Sequence, residues 1–363
     1  MTKCHYGILA AACVAALPAF AETAADIQAR IDAADPGATV TIPSGTYLLD
    51  APIVVDKAIT LAGDSADRTL VILDGQGTVN CVELSAGATL RDLTVQNGAG
   101  GKTVSSTLCG AGVYAVGATI DNCVIQNCAL NNEDTKFVTD GAGLYLNGGT
   151  VRGCLFSGNV NTGCGSSAGN VYTGHKIRGG GVYAKGTATF SNCRFVSNQV
   201  VNNKKGSRTD NGVGGAGCFD GAGIVVENCS FEDNFATCWG GALCGQGITL
   251  RNSTFTGNSH GSPNYRRGGA AAVDGARVSG CVFEDQETTT AGDDGSGEGL
   301  STFGASVVTD CIFRNNSYNR GGAFGSSSGS PVVSNCVFEA NTCTDRGGAL
   351  SLVGVTSAQV VDC

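Results

Sequence analysis

Charge is scarce in this sequence. Only 15% of its 363 residues are Asp, Glu, Lys or Arg, which excludes coiled coils and long solvated helices. A basic face is missing: the formal net charge is −9. Nucleic acid is therefore not the expected partner, because phosphate binding needs clustered Lys and Arg. Histidine occurs three times and no Cys-x-x-Cys pair occurs at all, so a zinc site has little to build on and no metal is expected. Past the first twenty residues no apolar run is long enough for a transmembrane helix. Glycine contributes 56 residues without a collagen period, and 42% hydrophobic residues are too many for a disordered chain. What remains is Gly, Val, Thr, Asn and Ser, the composition of β-structure with many turns.

Residues 1–21 read as a signal peptide. Lys3 and His5 form a short polar start, Gly7 to Leu17 an apolar run, and Ala19-Phe20-Ala21 the small residues before cleavage. A lipoprotein acceptor at Cys13 is the weaker alternative. The expected location is exported: extracellular, periplasmic or associated with the outer membrane or cell surface. Export makes disulfides permissible for the cysteines, of which the sequence has 18.

A repeat accounts for glycine and cysteine together. The line apolar, x, Asn/Asp/Gly, Cys, x, aromatic recurs with a period of about 30 residues. Copies are Ile120 to Ile125, Val151 to Phe156, Phe190 to Phe195 and Val226 to Phe231, with others centred on Ser253, Cys281, Cys311 and Cys336. Leu93 begins the series and Cys363 ends it. A glycine pair or Gly-Ala-Gly precedes each copy in phase, as in Gly110-Ala111-Gly112, Gly179-Gly180-Gly181 and Gly240-Gly241-Ala242. Before each position of the cysteine column stands Asp92, Asn122, Gly153, Asn192, Asn228, Asn252, Gly280, Asp310, Asn335 or Asp362. These are the residue types that accept left-handed backbone angles, and one such residue bends a short strand into the next. The cysteine and the aromatic two places on then point to the same, inward side. The fold class expected is all-β: a right-handed parallel β-helix solenoid, its coils stacked about 4.8 Å apart. Residues 22–363 form one such domain. Within residues 22–37, Ile27 and Ile31 mark a short N-terminal capping helix, Ala24 to Ala34, over the first coil. The chain stops in mid-copy, so the C-terminal end is expected to continue in a longer protein.

The opening from Ile27 to Gly77 resembles the start of the pectin-lyase-like right-handed parallel β-helix superfamily. The pairing of Gly-Gly-Ala-Leu with Phe-x-x-Asn (Phe156 to Asn159, Phe195 to Asn198, Phe231 to Asn234, Phe255 to Asn258, Phe338 to Asn341) is similar to polymorphic outer-membrane-protein repeats. The resemblance covers nearly the whole mature chain and speaks to fold far more than to activity, since the fold hosts lyases, hydrolases, epimerases and adhesins.

Insertions vary most between the aromatic-x-x-Asn segment and the next glycine pair, and are long at 98–109, 128–140, 160–178 and 199–214. In the resembled lyases the cleft lies on the strand face beside these connections. On that strand Tyr114, Tyr145, Tyr183 and Phe219 are read as four outward rings in successive coils. They are either an exposed platform for sugar rings or a stack roofed by the loops. Asp140 and Arg178, just before two glycine motifs, are expected to pair across coils as a surface ion pair of little energetic consequence. Arg267, Arg320 and Arg346 hold the same place further on. Asp293, Asp294 and Glu298 form the best acidic cluster and read as a solvated loop. His175, Lys176, Lys204, Lys205 and Arg208 read as loop charge, with a lyase base or uronate ligand as the alternative. His260 stands isolated. The cysteine column is read as buried free thiols, and Cys109 with Cys128 as the disulfide candidate.

The function expected is a secreted or cell-surface β-helix repeat protein that binds a polysaccharide or cell-surface glycan, adhesin-like. The alternatives are a polysaccharide lyase or related carbohydrate enzyme, and a structural stalk. No catalytic residue is assigned and no cofactor is expected; Ca2+ belongs only to the lyase alternative.

Overall fold

Strand pairing in a computed structural model, which describes residues 22–132, 138–163, 177–202, 212–261, 268–288, 297–318, 321–344 and 347–363, is that of a right-handed parallel β-helix. A twenty-stranded and an eleven-stranded sheet run its length, with smaller sheets of five, four and three strands beside them. One coil shows the plan. Strand Leu144–Arg152 bends at Gly153 into Leu155–Ser157, which bends at Gly158 into Val160–Gly163. Each strand pairs in parallel with its equivalent in the next coil, Val151 on Phe190 and Phe156 on Phe195. Among the described residues the one antiparallel pair is the hairpin of Lys102–Val104 and Thr107–Cys109.

All ten residues of the predicted bend column have positive φ, between 48° at Asn122 and 62° at Gly153. A second left-handed column, not anticipated, closes the next strand at Asn97, Asn127, Gly158, Ser197, Asp233, Gly257, Asp285, Asn315 and Ala340. Two fixed bends per coil hold the register, because a slip of one residue would put a β-branched or aromatic side chain at a left-handed angle.

The interior follows from that register. Phe156, Phe195, Phe231, Phe255, Phe283, Phe313 and Phe338 stack face to face with centroids 4.5 to 5.0 Å apart. Beside them runs a ladder of amides. The Asn198 Oδ1 accepts from the backbone N–H of Asn159 and from its Nδ2; the backbone bond repeats through Asn234, Asn258, Gln286, Asn316 and Asn341, and the side-chain bond repeats except from Asn258 and from Gln286. Each amide also donates to a carbonyl of the preceding coil, as Asn234 Nδ2 does to Phe195 at 3.0 Å. The Asn of Phe-x-x-Asn is thus the interior's polar spine.

The cysteine column is buried down to Cys336, and all its described members are free thiols. Each thiol donates to the carbonyl two residues back, 3.2 to 3.4 Å away at Cys154, Cys193, Cys229, Cys281 and Cys311. Ser253 makes the same bond with its hydroxyl at 2.9 Å. The Cys109–Cys128 bridge is corrected. Cys109 lies in an apolar cluster outside the long sheet, whereas Cys128 lies in the central core, so the sheet separates them. Burial pushes both thiols up to about 12. Among the described cysteines, alkylation of the native protein at mild alkaline pH is expected at Cys343 and Cys363 and nowhere in the buried column. Peptide mapping before and after denaturation checks this, and native labelling of Cys193 or Cys229 would contradict it.

Helix α1 spans Ala24–Ala33, begins with a Thr23–Asp26 capping box and buries Ile27 and Ile31. Its Gln28 amide accepts from the Val54 N–H at 2.8 Å and donates to the Val54 carbonyl at 3.0 Å. A side chain here substitutes for a neighbouring strand and closes the edge of the first coil. Among the described residues no helix is long and apolar enough to cross a membrane. Residues 1–21 lie outside the described residues.

Candidate functional site

Alternation along the long sheet puts two adjacent rows of side chains on its outer face. The first runs Glu83, Tyr114, Tyr145, Tyr183, Cys218, Cys244 in register. The second runs Val116, Asn147, Lys185, Asp220, Gln246, Asp274.

The tyrosines stack as expected, with centroids 5.1 Å apart for Tyr114–Tyr145 and 5.7 Å for Tyr145–Tyr183. They are not an exposed platform. Tyr145 is 5% and Tyr183 3% exposed, and both belong to an apolar cluster that also holds Cys109, Val213, Trp239 and Phe303. Tyr114 is half-buried, and the ring faces are occupied by each other and by Lys102, Lys185 and Arg178. Phe219 is a second correction. Gly214, not Gly215, carries the left-handed angle that aligns with Gly179, so Cys218 pairs with Tyr183 and Phe219 with Ala184. That single-residue shift turns Phe219 inward, where it is fully buried edge-on to Phe190.

Asp140 and Arg178 do meet across coils, but not at the surface. The guanidinium makes two bonds of 2.7 Å to the carboxylate, with side chains 3% and 16% exposed. Burial raises the Asp140 carboxyl and the facing Arg178 opposes that rise. Arg178 also lies 4.3 Å from the Tyr183 ring centroid, and the Tyr183 hydroxyl donates to Asp220 at 3.1 Å. The pair is a buried strut that fixes Tyr183 and, through it, Asp220.

Each of the other tyrosines also carries a cation. Lys102 lies 5.2 Å from the Tyr114 centroid and is ion-paired with Glu83. Lys185 lies 5.5 Å from the Tyr145 centroid. The Tyr145 hydroxyl beside it raises the Lys185 ammonium, and burial raises the Tyr145 phenol, so both keep their protons at neutral pH. Unlike Arg178 and Lys102, Lys185 has no carboxylate within ion-pair distance among the described residues. It is half-buried, with exposed Asn147 and Gln246 on the same row. Lys185 and Asp220 stand two places beyond Tyr183 and Cys218 on the same outer face, and period-2 alternation is the signal that marks them.

Other sequence candidates separate. Glu298 is not part of a solvated acidic loop: it is 2% exposed and its Oε2 lies 2.6 Å from His260 Nε2, so His260 is not isolated either. Asp293, Asp294, His175, Lys176, Lys204, Lys205, Arg208, Arg267, Arg320 and Arg346 lie outside the described residues. Among the described residues no group of three or more His, Cys, Asp or Glu fits a metal ion.

No family model matches the sequence, and no curated protein matches it. Solved structures with a similar winding include a mannuronic acid specific polysaccharide family 6 lyase from human gut microbiota, with a TM-score of 0.43 and 12% identity over 92% of this chain and 81% of that one. A polysaccharide lyase of the same family from Pseudopedobacter saltans gives 0.42 and 13%, over 93% and 91%. The A-module of a mannuronan C-5 epimerase from Azotobacter vinelandii gives 0.38 and 14%, over 92% and 94%. At such distance the likeness says nothing of activity; the β-helix itself stands on the strand register of this chain.

Proposed function

We propose that the outer face around Lys185 binds an acidic polysaccharide. The observation that carries this is an ammonium held protonated on a tyrosine stack, without an ion-pair partner among the described residues. It offers a uronate carboxylate a charge-assisted partner at a preorganised position. Asn147 and Gln246, in register along the row at a spacing of about 4.8 Å per coil, are placed for the hydroxyls of a chain lying along the axis. An adhesive platform of bare rings has lost its support, since Tyr145 and Tyr183 are buried.

A second reading, a polysaccharide lyase, draws on the adjacency of Lys185 and Tyr145. In β-elimination a base removes the C5 proton of a uronate, the C4–O4 bond breaks, a C4=C5 double bond forms and O4 takes a proton. Lys185 would neutralise the carboxylate and Tyr145 would supply the proton to O4. Neither is held in a form that removes the C5 proton at neutral pH, so binding is the better supported of the two.

Polymannuronate, polyguluronate and polygalacturonate are suitable probes. Lys185→Ala is expected to weaken binding of the preferred polymer by about tenfold at low salt while leaving the melting temperature unchanged, with Lys185→Arg intermediate. Unaltered affinity in Lys185→Ala would sink the proposal. Growth of ultraviolet absorbance from an unsaturated uronate would move the reading from binding to lyase.

A further inference from the structure

A second concavity lies away from the Lys185 face, at the bends that follow Thr94–Gln96 and Val124–Gln126. Its volume is about 640 Å3, its walls include Asp74, Gln76, Asn97, Asn127 and Asn131, and Gly77, Gly98 and Gly100 form its floor. A Cβ added at Gly77 or Gly100 would meet nothing within 4 Å, so both glycines open onto free space.

The chemistry of the walls decides what fits. The Asp74 carboxylate accepts from Gln76 N at 2.8 Å, Gln96 Nε2 at 2.8 Å and Asn97 Nδ2 at 3.0 Å to each oxygen. Burial opposes its charge, but these donors outweigh that and hold the carboxyl below the usual Asp range. With four contacts its lone pairs are filled, so a cation finds no vacant ligand. Lysine, arginine and histidine are absent from the lining among the described residues, so an anion finds no counter-charge among them. Gln126 Nε2 donates to Gln96 Oε1 at 3.0 Å, which orients a chain of amides outward from Asp74. Asn127 and Asn131, both exposed, make no side-chain hydrogen bond among the described residues. Each therefore presents a donor and an acceptor to the concavity.

We infer that this amide-lined bowl is a binding site for uncharged sugar. A hydroxyl both donates and accepts, which matches free amides, and a glycine floor lets a ring approach the backbone closely. No aromatic side chain lines the bowl, so affinity rests on hydrogen bonds and the site serves as a weak anchor for a polymer. It shares no residue with the Lys185 face and does not depend on the reading of that face.

The test titrates cellohexaose, mannohexaose and xylohexaose, with polymannuronate as the charged control, and follows the Asn127 and Asn131 side-chain amides and the Gly98 and Gly100 backbone amides by NMR. At least one neutral hexasaccharide is expected to shift these resonances at millimolar concentration. Two variants should each weaken that binding at least about fivefold: Asn127→Gly with Asn131→Ala, in which glycine retains the left-handed bend, and Gly100→Asn, which keeps a tolerated backbone angle and fills the bowl. Lys185→Ala should leave it unchanged. Absence of shifts with all three sugars overturns the inference. So does binding that both variants retain, or a response to polymannuronate alone.

Discussion

Replacing Asn234 by alanine is expected to destabilise the protein by about 3–5 kcal/mol, more than any surface substitution. Asn234 is fully buried in the middle of the amide ladder. Its Oδ1 accepts from Asn198 N at 2.9 Å and from Asn198 Nδ2 at 3.0 Å, and its Nδ2 donates to the Phe195 carbonyl and Asn258 Oδ1, each at 3.0 Å. Alanine strips the Asn198 backbone N–H and the Phe195 carbonyl of these partners, in an interior that water does not reach. Each stranded group costs about 1–3 kcal/mol, whereas the methyl gained contributes little. Aspartate should be no better, because its second oxygen would face two further oxygens. Glutamine should cost least: Gln286 already occupies a rung, accepting from Asn258 N at 2.8 Å and donating to the Phe255 carbonyl at 2.7 Å. Urea unfolding monitored by circular dichroism gives the order. An alanine variant as stable as the parent would show that the coils hold by ring stacking alone.

That ladder also shows what a single sequence reveals and what it hides. Phe-x-x-Asn was plain as a repeat, and the bends at Asn122, Gly153 and Asn192 were plain because few residue types take a left-handed angle. Burial of the Phe column follows from the same register. The role of the Asn did not follow, because an asparagine after a turn reads equally well as a surface residue. Burial of Tyr145 and Tyr183 was hidden for another reason: the apolar cluster they share with Cys109, Val213, Trp239 and Phe303 draws on separate coils, and no local pattern announces it. Phe219 was misplaced because Gly214-Gly215-Ala216-Gly217 contains two overlapping copies of the glycine motif. Only the backbone angle at Gly214 tells which copy is in register.

The pair His260–Glu298 leads to the second large expectation, because it is where the repeat is broken. Glu298 occupies the place held by a glycine in Gly240-Gly241-Ala242 and Gly268-Gly269-Ala270, and His260 stands in register with Ala236. The two side chains are 2% and 0% exposed and meet at 2.6 Å, while His260 Nδ1 has no hydrogen-bond partner among the described residues. Glu298→Ala leaves an imidazole buried without either nitrogen satisfied, and a loss of about 3–5 kcal/mol is expected. His260→Ala alone takes from the Glu298 carboxylate its bond to the imidazole in the same interior. The double variant His260→Ala with Glu298→Gly restores the pattern of the neighbouring coils. It removes both polar partners together, so it should be more stable than either single variant, with a favourable coupling of about 1–3 kcal/mol. The opposing effect is the void left by the two side chains, which costs about 24 cal/mol per Å3 where the coils fail to close over it. Desolvation of an unpaired buried group outweighs a void of modest size, which fixes the sign. Additive losses in the double variant would mean that the void dominates and that His260 and Glu298 are kept as filling, not as a matched pair.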